Sequence, residues 1–294
     1  MRLLNFYSAG GVVHLGAVEG EQVLDLTHAA GELPEFASLT AWLRAGEPAR
    51  QRTDNLLDRY LKSGEKGVPL ATLRHAVLVG RDSRIFCVGL NYADHAAENN
   101  LPPPSSPIFF SKLASVVIPH GAAIPLPAAS QQVDYEAEMA VVIGRRADCV
   151  SEAEAGDYIA GYTIMNDVSA RDLQRADKQW FRGKNCNGFG PLGPWLVTAD
   201  EVRDAGNLEI TLRLNGQIRQ HSNTGQLVFP PAALISRLSQ TLLLEPGDII
   251  STGTPAGIGS KHVPPCFLKE GDQIQIEISG IGVLQNSVGK RREK

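Results

Sequence analysis

The stretch VDYEAEMAVVIG, residues 133–144, carries three acids at alternate positions ahead of an apolar run. Side chains alternate along a strand, so Tyr135, Ala137, Met139 and Val141 share one face, and Asp134, Glu136 and Glu138 share the other with Ala140 and Val142. Unpaired buried carboxylates are costly, and like charges side by side add to the cost. Glu136 and Glu138 stand two strand rises apart, roughly 6–7 Å, within reach of a single cation. Asp167, in YTIMNDVSARD, is a third candidate ligand. Three oxygen donors with no neighbouring His or Cys pair suit a hard ion, Mg²⁺ or Mn²⁺. A solvated edge strand whose acids pair with Lys or Arg accounts for the same pattern.

Three further groups could do chemistry. In NYADHAAE, His95 and Glu98 stand three apart, so on a helix the carboxylate can orient the imidazole for proton abstraction from water. An incidental pair on an exposed helix has the same spacing. The segment TGTPAGIG, residues 252–259, matches neither GxxxxGK[ST] nor GxGxxG. It can offer backbone N–H groups and the Thr254 hydroxyl to an anion, or it can be a plain tight turn. Lys184, in WFRGKNCNGFGPLGP, lies in a loop punctuated by Gly and Pro, where a lysine alone signals only solvation. HEXXH is absent, as is GxSxG, so neither a zincin nor a serine hydrolase is indicated.

The elements that must hold these residues are mostly strands. RLLNFYS, VVHLGAVEG and EQVLDLTHA predict short strands, followed by helices at FASLTAWLRAG and ARQRTDNLLDRYLKSG. The polar stretch 50–67 ends this part, and strand character resumes at HAVLVG and RIFCVGL. The reading is a small N-terminal α+β domain over 1–75 and a larger domain over 76–294. Beyond residue 83, strands, Gly and Pro dominate, predicting a mainly β, α+β fold with short helices, a roll or sandwich. Asp94 is the expected N-cap of the His95 helix. Ser169 and Asp172 have capping-box spacing for the helix after Asp167. PPPSSP, residues 102–107, reads as a stiff connector.

Bulk properties narrow the function classes. The chain has 294 residues, 43% hydrophobic and 20% charged, with a formal net charge of -4. That balance gives no basic footprint, so no nucleic-acid partner is expected. Cys87, Cys149, Cys186 and Cys266 are scattered without a CxxC, which suits free thiols in a reducing compartment. No apolar run approaches the roughly 20 residues of a membrane helix, and MRLLNFYSAGG lacks a signal-peptide core. A cytoplasmic protein without a membrane partner is the expectation.

Over about residues 83–290 the chain resembles the fumarylacetoacetate hydrolase superfamily. The motifs GLNYADHAAE, FFSK, VDYEAEMAVVIG, GYTIMNDVSARDLQ, GKNCNGFGPLGP, LNGQIRQ, LEPGDIISTGTPAGIG and FLKEGDQIQIEISGIGVLQN stand in the family's order. The resemblance implies Glu136, Glu138 and Asp167 as Mg²⁺ or Mn²⁺ ligands. It implies His95 and Glu98 as a water-activating dyad on a lid, and Lys184 as a further catalytic group. Arg171, Gln174 and Thr254 correspond to substrate contacts. So does Lys112 of the F-x-K segment, although Leu113 and Ala114 replace the Pro or Ser-Pro that often follows. The implied fold is the family's mixed β-roll with a small N-terminal domain, and the implied assembly is a homodimer. The implied substrate is a small 2-oxo or 2,4-dioxo acid whose enolate the cation stabilises. Hydrolysis of a C–C bond in an acylpyruvate-like substrate is the expected reaction, because His95 and Glu98 are intact. Oxaloacetate decarboxylation is the alternative, with isomerisation or hydration of hydroxymuconate-type diacids behind it. A metal-containing dicarboxylate-binding module is the non-enzymatic alternative.

Overall fold

The strand Ala137–Ile143 is buried along its whole length. A computed structural model, which describes residues 1–98, 100 and 102–292, shows why. Met139, Val141 and Ile143 face Ile210, Leu212, Ile274, Ile276 and Leu284, side chains of a five-stranded sheet. Ala140 and Val142 face the other way, into a cluster with Leu39, Trp42, Leu43 and Leu56 from the N-terminal helices. The strand is the middle of a sandwich covered on both sides, so both of its faces must be apolar wherever nothing polar is needed.

Among the described residues the main sheet has twelve strands. Ala137–Ile143 pairs antiparallel with Ile159–Asn166 on one side and with Ile249–Ser251 on the other. Ile249–Ser251 runs parallel to Ile85–Gly89, which pairs antiparallel with Ile108–Lys112. This order brings four chain segments to one end of the sheet. They are the approach to Ala137, the exits after Asn166 and Ser251, and the exit after Gly89. Residues far apart in sequence are thereby placed side by side.

The mainly β, α+β architecture expected from the sequence is the one observed. The longest helix among the described residues is Glu47–Ser63, with Ala49, Thr53, Leu56 and Leu57 turned inward. The preceding helix, Leu39–Ala45, is capped by Ser38, whose hydroxyl accepts the Ala41 N–H at 3.2 Å. The expected boundary near residue 75 falls at the short strand Arg74–His75, which pairs with Arg2–Tyr7. Arg2–Tyr7 also pairs with Gly190–Thr198, so one sheet runs across that point. No helix of the described residues is long and apolar enough to cross a membrane.

Two local expectations are corrected. Asp94 lies inside the helix Ala93–Glu98 rather than capping it. Its carboxylate instead accepts from the Ser222 hydroxyl at 2.6 Å and from the Ala256 N–H. Ser169 and Asp172 form no capping box, because the helix Arg171–Asp177 has Ala170 at its N-cap and no side-chain cap. Ser169 is in a two-stranded ladder opposite Asp134, and its hydroxyl donates to the Asp167 carbonyl. Asp172 accepts from the Ser130 hydroxyl and the Gln131 N–H, tying this helix to the chain just before the acidic strand. For both Asp94 and Asp172 a tertiary partner wins over the local cap.

Candidate functional site

Glu136, Glu138 and Asp167 each offer a carboxylate oxygen within 4.8 Å of the other two, and all three are buried. The backbone makes this meeting obligatory. Asp167 directly follows the strand paired with Ala137–Ile143, and its N–H donates to the Glu136 carbonyl at 2.9 Å. Glu138 is reached from the opposite side by the segment after Ile249–Ser251. The Ser251 hydroxyl and the Gly253 N–H both donate to its Oε2. Gly253 has φ +97° and packs against Asn91 and the Val88 carbonyl, which leaves no room for a side chain.

Buried cations surround the triad. The Lys184 ammonium bridges Glu136 at 2.7 Å and Asp167 at 2.6 Å. Lys112 reaches the other oxygen of Asp167 at 2.6 Å and the Val168 carbonyl at 3.1 Å. Arg171 spans Asp134 at 2.8 Å and Glu136 at 2.6 Å. Asp134 is fully buried and also accepts the N–H groups of Gly259 and Ser260, so it aims Arg171 and anchors the glycine-rich loop together. Four buried carboxylates (Asp134, Glu136, Glu138 and Asp167) therefore face three buried cations (Lys112, Arg171 and Lys184). One negative charge is left over, and it falls on Glu138. Among the described residues no Lys or Arg forms an ion pair with that side chain.

The ionisation behaviour follows this layout. Burial alone would raise the Glu136 carboxyl, but Lys184 and Arg171 outweigh it and hold it down at about 2. Burial raises Glu138 well above the ordinary carboxyl value, and repulsion from Asp167 and Glu136 adds to the rise. Lys184 is opposed by burial, yet Asp167 and Glu136 keep it above the ordinary amine value. The donor set fits a divalent cation. It consists of hard oxygens, is pre-assembled, and carries one charge too many for the side chains around it.

A cleft of about 310 Å³ opens over Glu136 and Glu138, with Asp167 buried beneath it. His95, Glu136, Glu138, Arg171, Gln174, Lys184 and Thr254 line it. Glu98 stands behind His95, with its Oε2 3.1 Å from Nδ1 and its Oε1 accepting the Gly257 N–H. Burial pushes the Glu98 carboxyl up, but the His95 and Gly257 hydrogen bonds bring it below the ordinary value. Arg171 Nη1 donates to Gln174 Oε1 at 3.1 Å, so the two sequence candidates on this helix act as a pair. Lys184 closes the helical turn Phe181–Lys184 rather than lying in an open loop. Lys112 is placed differently from a substrate contact. It is buried behind Asp167 and does not line the cleft, so its contact is with that carboxylate.

Phe110, Arg175, Trp180 and Lys261 also line the cleft and are not among the site residues proposed from the sequence. Phe110 and Trp180 meet edge to face at 5.1 Å, and the Lys184 ammonium lies 5.0 Å from the Phe110 ring centre. Arg175 and Lys261 add positive charge at the exposed rim. The only sequence signals for them are an aromatic in ADKQWF and a lysine just after the glycine-rich segment. A larger cavity of about 900 Å³ lies elsewhere, lined by Arg74, His75, His120 and Trp195 among others. Burial and the neighbouring His120 push His75 down to about 4. That cavity contains no carboxylate cluster.

An acid triad beneath a cleft rimmed by cationic side chains is thus mounted at strand ends of a β sandwich. The chain belongs to the fumarylacetoacetate hydrolase family. Residues 84–289 match the family described as Fumarylacetoacetate (FAA) hydrolase C-terminal. Over 293 residues the chain is 43% identical to oxaloacetate tautomerase FAHD2A, mitochondrial, from Bos taurus, covering 98% of this chain and 91% of that protein. Fumarylacetoacetate hydrolase from psychrophilic Exiguobacterium antarcticum superimposes with a TM-score of 0.83 at 32% identity, covering 99% of this chain and all of that one. Maleylpyruvate hydrolase from Sphingobium sp. SYK-6, solved in complex with manganese(II) and pyruvate, gives 0.81 at 28% identity, again covering 99% and 100%.

Proposed function

We propose that this protein is a divalent-cation-dependent enzyme that moves a proton between oxygen 2 and carbon 3 of a small 2-oxo dicarboxylate, with oxaloacetate as the substrate. The observation that carries this reading is the uncompensated charge on the buried Glu136, Glu138 and Asp167 triad beneath a cationic cleft. Near-full-length identity to a relative named oxaloacetate tautomerase supports the choice of reaction.

The three carboxylates would hold Mg²⁺ or Mn²⁺, which when bound would polarise the 2-oxo carbonyl and acidify the hydrogens at carbon 3. The chain's own residues do the rest. Glu98 engages His95 Nδ1, so proton exchange with the substrate falls to Nε2. In the enol-to-keto direction His95 Nε2 takes the proton of the hydroxyl at carbon 2 and returns it to carbon 3, so the imidazole ends in its starting state. His95 delivers or withdraws the proton at carbon 3, and the Lys184 ammonium donates hydrogen bonds to the oxygen on which negative charge develops. Arg171, steadied by Asp134 and Gln174, binds the carboxylate next to the 2-oxo group. The rim cations Arg175 and Lys261 attract the second carboxylate.

Hydrolysis of an acylpyruvate-like C–C bond is the second reading, favoured by the His95–Glu98 pair, which can equally activate water. A panel separates the two: enol-oxaloacetate, keto-oxaloacetate and acetylpyruvate, each with Mg²⁺ and Mn²⁺. Loss of the enol signal without CO₂ release supports tautomerisation. Turnover of acetylpyruvate alone would replace that reading with hydrolysis, and CO₂ from oxaloacetate would replace it with decarboxylation.

A further inference from the structure

Gln220 lies on the strand Gln217–Asn223 at the edge of the five-stranded sheet. It is the one buried residue of that strand, 1% exposed. A register shift in the ladder with the neighbouring strand puts Gln220 opposite Leu212 and Ile218 opposite Arg213, leaving Arg219 as the extra residue. A bulge of this kind bends a strand and re-aims its side chains. Here it brings the strand against the glycine-rich loop. The Arg219 carbonyl would be 2.1 Å from any Cβ at Gly257, whose φ is +98°.

The redirected amide leaves its own sheet and enters the site. Gln220 Oε1 accepts the Ala137 N–H at 2.9 Å, the peptide group between Glu136 and Glu138. Its Nε2 donates to Thr254 Oγ1 and to the Pro255 carbonyl, both at 2.8 Å. The orientation of the amide is set by its partners, because a backbone N–H only donates and a carbonyl only accepts. Thr254 Oγ1 therefore receives a hydrogen bond from behind. Its own single proton is left to point away from Gln220, on the side where Thr254 lines the cleft.

We propose that Gln220 is a positioning residue: it presents the Thr254 hydroxyl to the cleft as a hydrogen-bond donor for an anionic oxygen of the bound acid. The proposal rests on the reading of the cleft as a 2-oxo acid site. Gln220→Glu tests it sharply, because the size is kept while the donor facing Thr254 becomes an acceptor. The threonine proton would then turn back toward residue 220 and away from the cleft.

The experiment is a double-mutant cycle on the full chain loaded with Mn²⁺, with oxalate as the probe and binding followed by calorimetry. The variants are Gln220→Glu, Thr254→Val and the pair, with Gln220→Met as a second, uncharged replacement should the buried glutamate prevent folding. Thr254→Ser serves as the conservative control. The expected result is a roughly tenfold loss of oxalate affinity in each single variant and no further loss in the pair, because both remove the same hydrogen bond. Thr254→Ser should recover most of the affinity lost in Thr254→Val, and Mn²⁺ affinity should change less than about twofold throughout. Additive losses, near a hundredfold in the pair, would overturn the proposal while leaving the 2-oxo acid reading intact. So would wild-type oxalate affinity in both Gln220 variants. Failure of the Mn²⁺-loaded wild type to bind oxalate would overturn the reading of the cleft and this inference with it.

Discussion

Glu138→Gln should stabilise the metal-free protein and abolish its response to metal, two effects of opposite sign from one substitution. Glu138 is 1% exposed, lacks an ion-pair partner among the described residues, and faces two other carboxylates. Glutamine keeps the shape, and its carbonyl can still accept from Ser251 and Gly253. Removing an uncompensated buried charge is worth on the order of 1–3 kcal/mol. At about 2 °C per kcal/mol for a chain of this size, the metal-free melting temperature should rise by about 2–6 °C. In the wild type, Mg²⁺ or Mn²⁺ at a hundred times its dissociation constant should add about 2.7 kcal/mol, or about 5 °C, and the variant should lose this shift.

The pH dependence has a definite sign. The folded Glu138 carboxyl is raised above its ordinary value of 4.5, so its stabilising contribution is complete below that pH and is lost as pH rises through the folded value. Glu136 works in reverse. Its carboxyl is held at about 2, so its contribution is present above 4.5 and is lost as pH falls toward 2. Metal-free wild type should thus lose stability on the alkaline side relative to Glu138→Gln, and metal should restore it. Differential scanning fluorimetry across pH, with and without chelator, reads all of this. A variant that melts lower than the metal-free wild type, or that keeps the metal shift, would refute the charge argument.

Other perturbations address the remaining parts of the site. His95→Ala should lower kcat for proton transfer by about 10²–10⁴-fold and leave Mn²⁺ affinity from calorimetry unchanged, since the imidazole is not in the acid triad. A rate within threefold of wild type would remove His95 from the chemistry. Gly89→Ala puts a Cβ 2.5 Å from the Trp180 indole, so the indole must leave the cleft wall. Trp180 fluorescence should shift and KM should rise more than kcat falls, whereas unchanged emission and KM would show the wall is not built this way. Asp134→Asn leaves Arg171 with half its buried carboxylate partners and should cost about 3–5 kcal/mol in denaturant unfolding. A loss below about 1 kcal/mol would show that Asp134 is dispensable for holding the loop.

What could be read in the chain divides along a physical line. The alternation in YEAEMAVVIG is local, and it correctly separated the face toward the five-stranded sheet from the face holding Glu136 and Glu138. Helices with clear periodicity, such as Leu39–Ala45 and Glu47–Ser63, were also legible. Caps were not, because Asp94 and Asp172 accept from partners distant in sequence, while the Ser169 hydroxyl turns back to the Asp167 carbonyl. The triad's meeting point became visible only through the resemblance, since spacing alone also allowed a solvated edge strand. The places of Asp134 and Lys112 depend on the register of three strands and a turn, which no local pattern encodes. Gln220 was hidden for the same reason: a single bulge decides that its side chain enters the site.

The most direct test of the central claim is oxaloacetate tautomerisation by chelator-treated protein, before and after Mg²⁺ or Mn²⁺ is restored, corrected for the rate without protein. The account predicts that the metal-free protein adds nothing to the background and that either ion restores turnover in the wild type but not in Glu138→Gln. Full turnover by the metal-free protein, or restoration of the Glu138→Gln rate by the same ion concentration, would contradict it.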